Sequence, residues 1–170
     1  MSDFMTKQEI LRAVAPCALC CHTCPGCKDG IIAKTAAVLH RYFEGYYEFQ
    51  VKNFSEDWQP STQKTKEFYD KLGKYSKPAC NGCRDNTHGK CCIKGCFILE
   101  CTQQHGVDFC AECQEFPCTR IYDGNVFRDE FIADWQARNE RINKVGVEQY
   151  CSEVMSYSHY APFKKDGIDI

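Results

Sequence analysis

The sequence lacks the features typical of membrane, secreted and nucleic-acid-binding proteins. No apolar run approaches the roughly 20 residues that a membrane-spanning helix needs, and residues 1–15 contain no apolar signal-peptide core. The 21 Lys and Arg residues are balanced by 23 Asp and Glu residues, so the chain has no broad positive field for nucleic acid. We therefore expect a cytoplasmic protein without a membrane or nucleic-acid partner. The sequence does not identify the partner, for which another protein is one candidate.

Catalytic motifs are missing as well. The sequence contains no Ser, His and Asp arrangement, no phosphate-binding loop and no zinc-protease helix motif. We therefore predict no catalytic residue, and the sequence favours a binding or structural protein over an enzyme. Catalysis would require a bound metal with an open coordination position.

Strand-like alternation of polar and apolar residues is also absent, whereas helical spacing recurs. In the segment 31–75 the residues at this spacing are Leu39, Tyr42, Phe43, Tyr46 and Phe49 and, after Pro60, Phe68, Leu72 and Tyr75. We predict a helical insertion there, with these side chains in a core.

The segment 126–170 predicts two C-terminal helices. The first carries Phe127, Phe131, Trp135, Ile142 and Val145 and stops at Gly146, and the second carries Val147, Tyr150, Cys151 and Val154. Near the N-terminus, Thr6 and Glu9 have the spacing of a capping box. The predicted fold is a single, mainly α domain over residues 1–170, small, cysteine-rich and zinc-stabilised, with irregular metal loops and packed helices.

Cysteine is the abundant residue, at 15 of 170, close to the roughly 8–10% at which disulfide scaffolds are suspected. Because cytosolic thiols are kept reduced, we interpret these residues as metal ligands instead. Five of them lie within residues 17–27 and nine within residues 80–118. The expected metal module therefore combines residues 1–30 with residues 76–125.

Three Cys-x-x-Cys pairs lie at residues 24–27, 80–83 and 110–113. This spacing lets a tight turn aim both sulfurs at one tetrahedral zinc. The first two pairs look like copies of one motif, because each has Gly before its second Cys and a basic residue and Asp after it. Five basic residues near cysteines are expected to offset thiolate charge: Lys28, Arg84, Lys90, Lys94 and Arg120.

The cysteine framework resembles domain-of-unknown-function family 3795, whose cysteine-rich microbial members are presumed to bind metal. The resemblance rests on residues 15–24, on Cys80-Asn81-Gly82-Cys83, on the stretch from Cys92 to Cys101, and on residues 106–118 and 141–148. Ala18 stands where that family usually has Gly. The family implies no established activity.

The resemblance implies eleven metal ligands: Cys17, Cys21, Cys24, Cys80, Cys83, Cys92, Cys96, Cys101, Cys110, Cys113 and Cys118. The repeated motif at residues 24–27 and 80–83 adds Cys27 as a twelfth ligand. Twelve ligands would fill three four-cysteine zinc sites. Cys20 and Cys91 are additions to the family pattern and are left out. Cys151 is left out because it lies on an apolar helix stripe.

Short loops favour ligands that are near in sequence. We therefore group Cys101 with Cys110, Cys113 and Cys118, then Cys80 and Cys83 with Cys92 and Cys96, and either Cys17 or Cys21 with Cys24 and Cys27. The cofactor predicted is two or three zinc ions in a structural or interaction module.

An iron–sulfur protein in electron transfer or redox sensing is the alternative, since residues 21, 24 and 27 have cluster-like spacing. Thiol redox chemistry at a Cys-x-x-Cys pair is a third hypothesis, although no strand pattern precedes any pair.

Overall fold

Helices dominate the computed structural model, which describes residues 5–85, 92–158 and 160. The prediction of a mainly α fold is therefore confirmed. The α-helices are α1 (Lys7–Ala13), α2 (Ile31–Phe43), α3 (Tyr46–Asn53), α4 (Gln59–Tyr75), α5 (Ile98–Gln104), α6 (Asp129–Val145) and α7 (Val147–Met155). Shorter 3-10 segments span Glu56–Trp58, Cys110–Glu112 and Thr119–Asn125.

Extended structure is scarce in the described ranges, where β-pairing is limited to isolated bridges of Val14 with Cys20 and of Cys27 with Cys80. The helices in those ranges include none that is long and apolar enough to cross a membrane.

Local sequence signals set several helix ends. The Thr6 side chain accepts from the Glu9 amide, and the Glu9 carboxylate accepts from the Thr6 amide at 2.7 Å, so the predicted capping box is confirmed. Gly146 ends α6 and precedes α7 with φ +84° and ψ 157°, a backbone conformation that essentially only glycine adopts. The predicted stop between the two C-terminal helices is therefore confirmed.

The chain divides into two units, of which unit 1 comprises the described residues of 1–23 and 81–170, and unit 2 comprises residues 24–80. In unit 1, α7 packs against both α1 and α6. One apolar core there includes Ile10, Phe109, Ile142 and Cys151. The Tyr150 hydroxyl donates to the Ala18 carbonyl at 2.6 Å, which ties α7 to the loop that follows α1.

A second core of unit 1 gathers apolar side chains around Trp135 of α6, including Ile98, Ile121 and Ile132. Six cysteines pack in or against this core: Cys17, Cys21, Cys83, Cys96, Cys110 and Cys118. The predicted metal loops of unit 1 are thus built around an apolar centre.

Unit 2 contains the predicted helical insertion of residues 31–75, but its aromatic residues are not the core that we expected. Gly45, with φ +75°, separates α2 from α3, and the α2–α4 pair buries Ala33, Ala36 and Leu72. Six residues of the predicted stripes are exposed: Leu39, Tyr42, Tyr46, Phe49, Phe68 and Tyr75. The Phe43 ring of α2 still contacts the Phe68 ring of α4 edge-on, at 5.3 Å between centroids, although Phe68 is exposed.

Candidate metal centre

The loop after α1 carries the first cysteines of unit 1. The Ala15 amide donates to the Leu19 carbonyl at 2.8 Å, and the Cys21 amide donates to the Ala13 carbonyl at 2.7 Å. Ala18 in this loop has φ +64°, a left-handed conformation that glycine adopts far more readily than alanine. Glycine, which the resemblance implies at this position, would adopt this backbone angle with less strain than alanine.

A short turn presents Cys110 and Cys113. The Glu112 carboxylate accepts from the amides of Asp108, at 2.8 Å, and Phe109, at 3.0 Å, and so closes the start of the turn. The Cys110 amide donates to the Pro16 carbonyl at 3.0 Å. The turn therefore lies against the loop that carries Cys17.

Asn139 of α6 holds the same turn from the other side. This residue is fully buried, and its Oδ1 accepts from the Ala111 amide at 2.9 Å while its Nδ2 donates to the Trp135 carbonyl at 2.8 Å. Asn139 was not among the predicted site residues. Its signal was a polar residue on the same helical stripe as Trp135 and Ile142.

Four predicted ligands line one cavity of about 30 Å³ in unit 1, enough space for one or two water-sized atoms. We call this the thiol cavity and define it by Cys101, Cys110, Cys113 and Cys118. Its other lining residues are Thr102, His105, Val107, Phe116 and Trp135. The structure therefore brings together the four cysteines that sequence proximity grouped.

Burial disfavours the thiolate form at this cavity. It raises the pKa of the Cys110 thiol to about 12, even though Trp135 opposes the shift. Burial also raises the pKa of Cys101, and here the positive charge and hydrogen bond of Arg120 act in the opposite direction. A divalent cation would have to displace these protons, so metal binding and deprotonation would occur together.

His105 extends the polar rim of the thiol cavity. Its Nδ1 lies 2.8 Å from the Cys101 carbonyl oxygen, and because a carbonyl only accepts, Nδ1 carries a proton. Its Nε2 lies 3.6 Å from a Glu115 carboxylate oxygen. Nδ1 also lies 3.8 Å from the Cys101 sulfur, so the ring is beside one ligand candidate.

Arg84 is a half-buried cation among the remaining cysteines of unit 1. Its guanidinium donates to the carbonyls of Leu11, at 2.9 Å, Val14, at 2.5 Å, and Asp108, and lies over the Phe109 ring. Burial lowers its pKa, while the Asp108 carboxylate and the nearby side chains of Cys21, Cys83 and Cys17 act in the opposite direction. Arg84 and Arg120 thus lie beside cysteines, and the predicted Lys90 lies outside the described residues.

Unit 2 brings together three predicted ligands of its own. The Lys28 amide donates to the Cys80 carbonyl at 2.8 Å, and the Cys80 amide donates to the Gly26 carbonyl at 3.2 Å. Burial raises the pKa of Cys27, with further contributions from Cys80 and Cys24. The structure therefore places Cys80 beside Cys27, whereas our sequence grouping assigned these two residues to different sites.

The two Cys-x-x-Cys segments that looked like copies differ in conformation. Gly82 has φ +87°, whereas the φ of Gly26 is not positive. A Cβ added at Gly26 would lie 3.7 Å from the Cys24 sulfur. A shared sequence pattern therefore does not produce a shared turn.

Two of the cysteines left out of the ligand set lie in the other core of unit 1. Cys20 and Cys151 are buried there, and the Cys151 sulfur lies 3.6 Å from the Met155 sulfur and 3.8 Å from that of Met5. Cys91, also left out, lies outside the described residues. Cys92, a predicted ligand, is exposed.

The donor chemistry of the thiol cavity fits a soft metal ion. Its cysteines are thiols and not halves of a disulfide, and thiolate sulfur is the preferred ligand of structural zinc. In the part of the chain that the structure describes, no three or more His, Cys, Asp or Glu side chains are arranged to hold a metal ion. Coordination would therefore require the four thiols to move closer together.

The cysteine-rich part of the chain matches a known protein family. A family model described as "Protein of unknown function (DUF3795)" matches residues 13–123, more than half of the chain. The chain belongs to the DUF3795 family. The part of this DUF3795 member that matches includes every cysteine except Cys151. No curated protein and no solved structure matches the chain.

Proposed function

We propose that this DUF3795 member is a zinc-binding protein of structural or interaction function, in which the thiol cavity holds one zinc ion. The observation that carries the proposal is the convergence of four cysteines, from α5 and from two turns, on one cavity. A structural zinc contributes on the order of 10 kcal/mol of apparent binding free energy, which is comparable with the whole stability of a domain.

Seven of the eight further predicted ligands fall into two groups, which support one or two more ions. Cys24, Cys27 and Cys80 form one group in unit 2. In unit 1, Cys17, Cys21, Cys83 and Cys96 pack against the same apolar core, and Arg84 lies beside three of them. A zinc ion with four thiolates carries two negative charges, which a neighbouring guanidinium would stabilise. Cys92 is not assigned to either group.

Metal analysis of single variants tests the proposal. The full chain is purified without chelator, and bound metal is measured by elemental analysis for the wild type, Cys113→Ser and Cys151→Ser. Cys113→Ser is expected to lose one equivalent of zinc, because it removes one of four sulfurs from the thiol cavity. Cys151→Ser is the matched control, since it changes a buried cysteine of the other core, and it should keep the wild-type content.

Equal metal content in the two variants would overturn the assignment of the thiol cavity. Less than one equivalent of metal in the wild type would overturn the metal-binding proposal as a whole. If the purified protein is brown and contains iron and labile sulfide, the bound cofactor is an iron–sulfur cluster and not zinc.

A further inference from the structure

Trp135 of α6 carries a buried polar group that the fold itself does not satisfy. The residue is 2% exposed, and among the described residues its Nε1 has no hydrogen-bond partner of standard geometry. Buried indole N–H groups are normally paired, because burying an unpaired donor is unfavourable. The exception therefore requires a reason.

The environment of the indole supplies that reason. Trp135 lines the thiol cavity together with Cys110, and both side chains pack in the same apolar core of unit 1. A neutral thiol is a weak acceptor. A thiolate sulfur carries negative charge, and hydrogen bonds to charged acceptors are shorter and stronger than neutral ones.

The indole is also held in place independently of Cys110. Asn139 bonds the Trp135 carbonyl and the Ala111 amide, which fixes α6 against the turn that carries Cys110. The Phe116 ring packs edge-on against the indole at 5.1 Å between centroids. The indole N–H is therefore preorganised, and it could donate to a thiolate without rearrangement of α6.

We propose that Trp135 is a positioning residue of the metal centre, and that its indole N–H donates to the Cys110 sulfur once that sulfur is a metal-bound thiolate. The inference rests on the proposed function. When the cation binds, the Cys110 proton leaves to solvent, the sulfur gains a bond to the metal, and its remaining negative charge accepts the indole N–H. Outer hydrogen bonds of this kind orient ligands and alter metal affinity.

Affinity measurements on two tryptophan variants test this proposal. Trp135→Phe removes the N–H and keeps an aromatic ring, and the control Trp58→Phe changes the other tryptophan of the chain, which is exposed and in unit 2. Zinc affinity is measured by competition with a chromophoric chelator. Trp135→Phe is expected to lower the affinity for one zinc ion by roughly 10–100-fold. The number of zinc ions bound at saturating zinc should not change. Affinity within twofold of the control would overturn the proposal.

A spectroscopic measurement on the otherwise unaltered chain does not depend on how well Trp135→Phe folds. With ¹⁵N-labelled tryptophan, the two indole N–H signals are assigned through Trp58→Phe and followed during addition of Cd²⁺, a soft substitute for zinc. The Trp135 signal should move downfield as a hydrogen bond forms, and the Trp58 signal should stay. A stationary Trp135 signal while Cd²⁺ binds would refute the role of Trp135 and leave metal binding intact, whereas absence of binding would refute the proposed function.

Discussion

Replacement of Asn139 by Ala should destabilise unit 1 strongly, because Asn139 connects α6 to the turn that presents Cys110 and Cys113. The change removes two buried hydrogen bonds, of 2.9 Å from the Ala111 amide and 2.8 Å to the Trp135 carbonyl. Each contributes about 1 kcal/mol net, and a buried amide left unpaired costs about 1–3 kcal/mol. The expected loss in free energy of unfolding is therefore about 2–4 kcal/mol, a large part of a typical total of about 5–15 kcal/mol.

Urea denaturation, followed by the fluorescence of Trp135 in a Trp58→Phe background, measures this loss. Asn53→Ala is the matched control, because the Asn53 Nδ2 also donates to a carbonyl four residues earlier, Phe49, at 2.7 Å. Asn53 is exposed, so its replacement should stay within about 0.5 kcal/mol. If the urea midpoint of Asn139→Ala moves no further than that of Asn53→Ala, the structural role given to Asn139 is wrong.

Two further predictions concern unit 1. Arg84→Met should lower the free energy of unfolding by about 2–4 kcal/mol, because it removes three hydrogen bonds from a charged donor to backbone carbonyls. The control Arg12→Met, on the exposed face of α1, should change that free energy by less than about 0.5 kcal/mol. Urea denaturation curves that coincide for the two variants would contradict this prediction. Gly146→Ala should cost about 1–3 kcal/mol, because alanine is strained at φ +84°, and calorimetry should show a lower Tm; an unchanged Tm would show that the α6–α7 junction tolerates a side chain.

Local signals predicted the helices of unit 1 well. The capping box at Thr6, the stop at Gly146 and the apolar stripe with Cys151 all depend on residues within about four positions of one another, so they can be recognised without knowledge of the tertiary fold. Short-range chemistry determines these elements, and the structure agrees with each of them.

The aromatic stripes of residues 31–75 show where this reasoning fails. Helical spacing identifies residues that share a face, but it does not say which face meets the neighbouring helix. In unit 2 the buried residues of α2 are the small Ala33 and Ala36, and Gly45 lies between α2 and α3, so the predicted stripe of residues 39–49 falls on two helices. The number of helices and the buried face therefore depend on packing that is not visible in the periodicity.

The candidate metal centre was predictable in part. Proximity in sequence identified the set that lines the thiol cavity, because Cys101, Cys110, Cys113 and Cys118 are separated by short loops. Proximity in sequence did not indicate that Cys80 lies beside Cys27, which is 53 positions away. The partners around the sulfurs, such as Trp135 and Asn139, come from a helix beyond the cysteine-rich segment and require the tertiary structure.

X-ray absorption at the zinc edge, on the full chain purified without chelator, tests the central claim most directly. The account predicts bound zinc whose nearest neighbours are four sulfur atoms at about 2.3 Å, with one such ion lost in Cys113→Ser. Zinc surrounded by nitrogen or oxygen at about 2.0–2.1 Å, or a folded chain without bound zinc, would contradict the assignment of the thiol cavity as a metal centre.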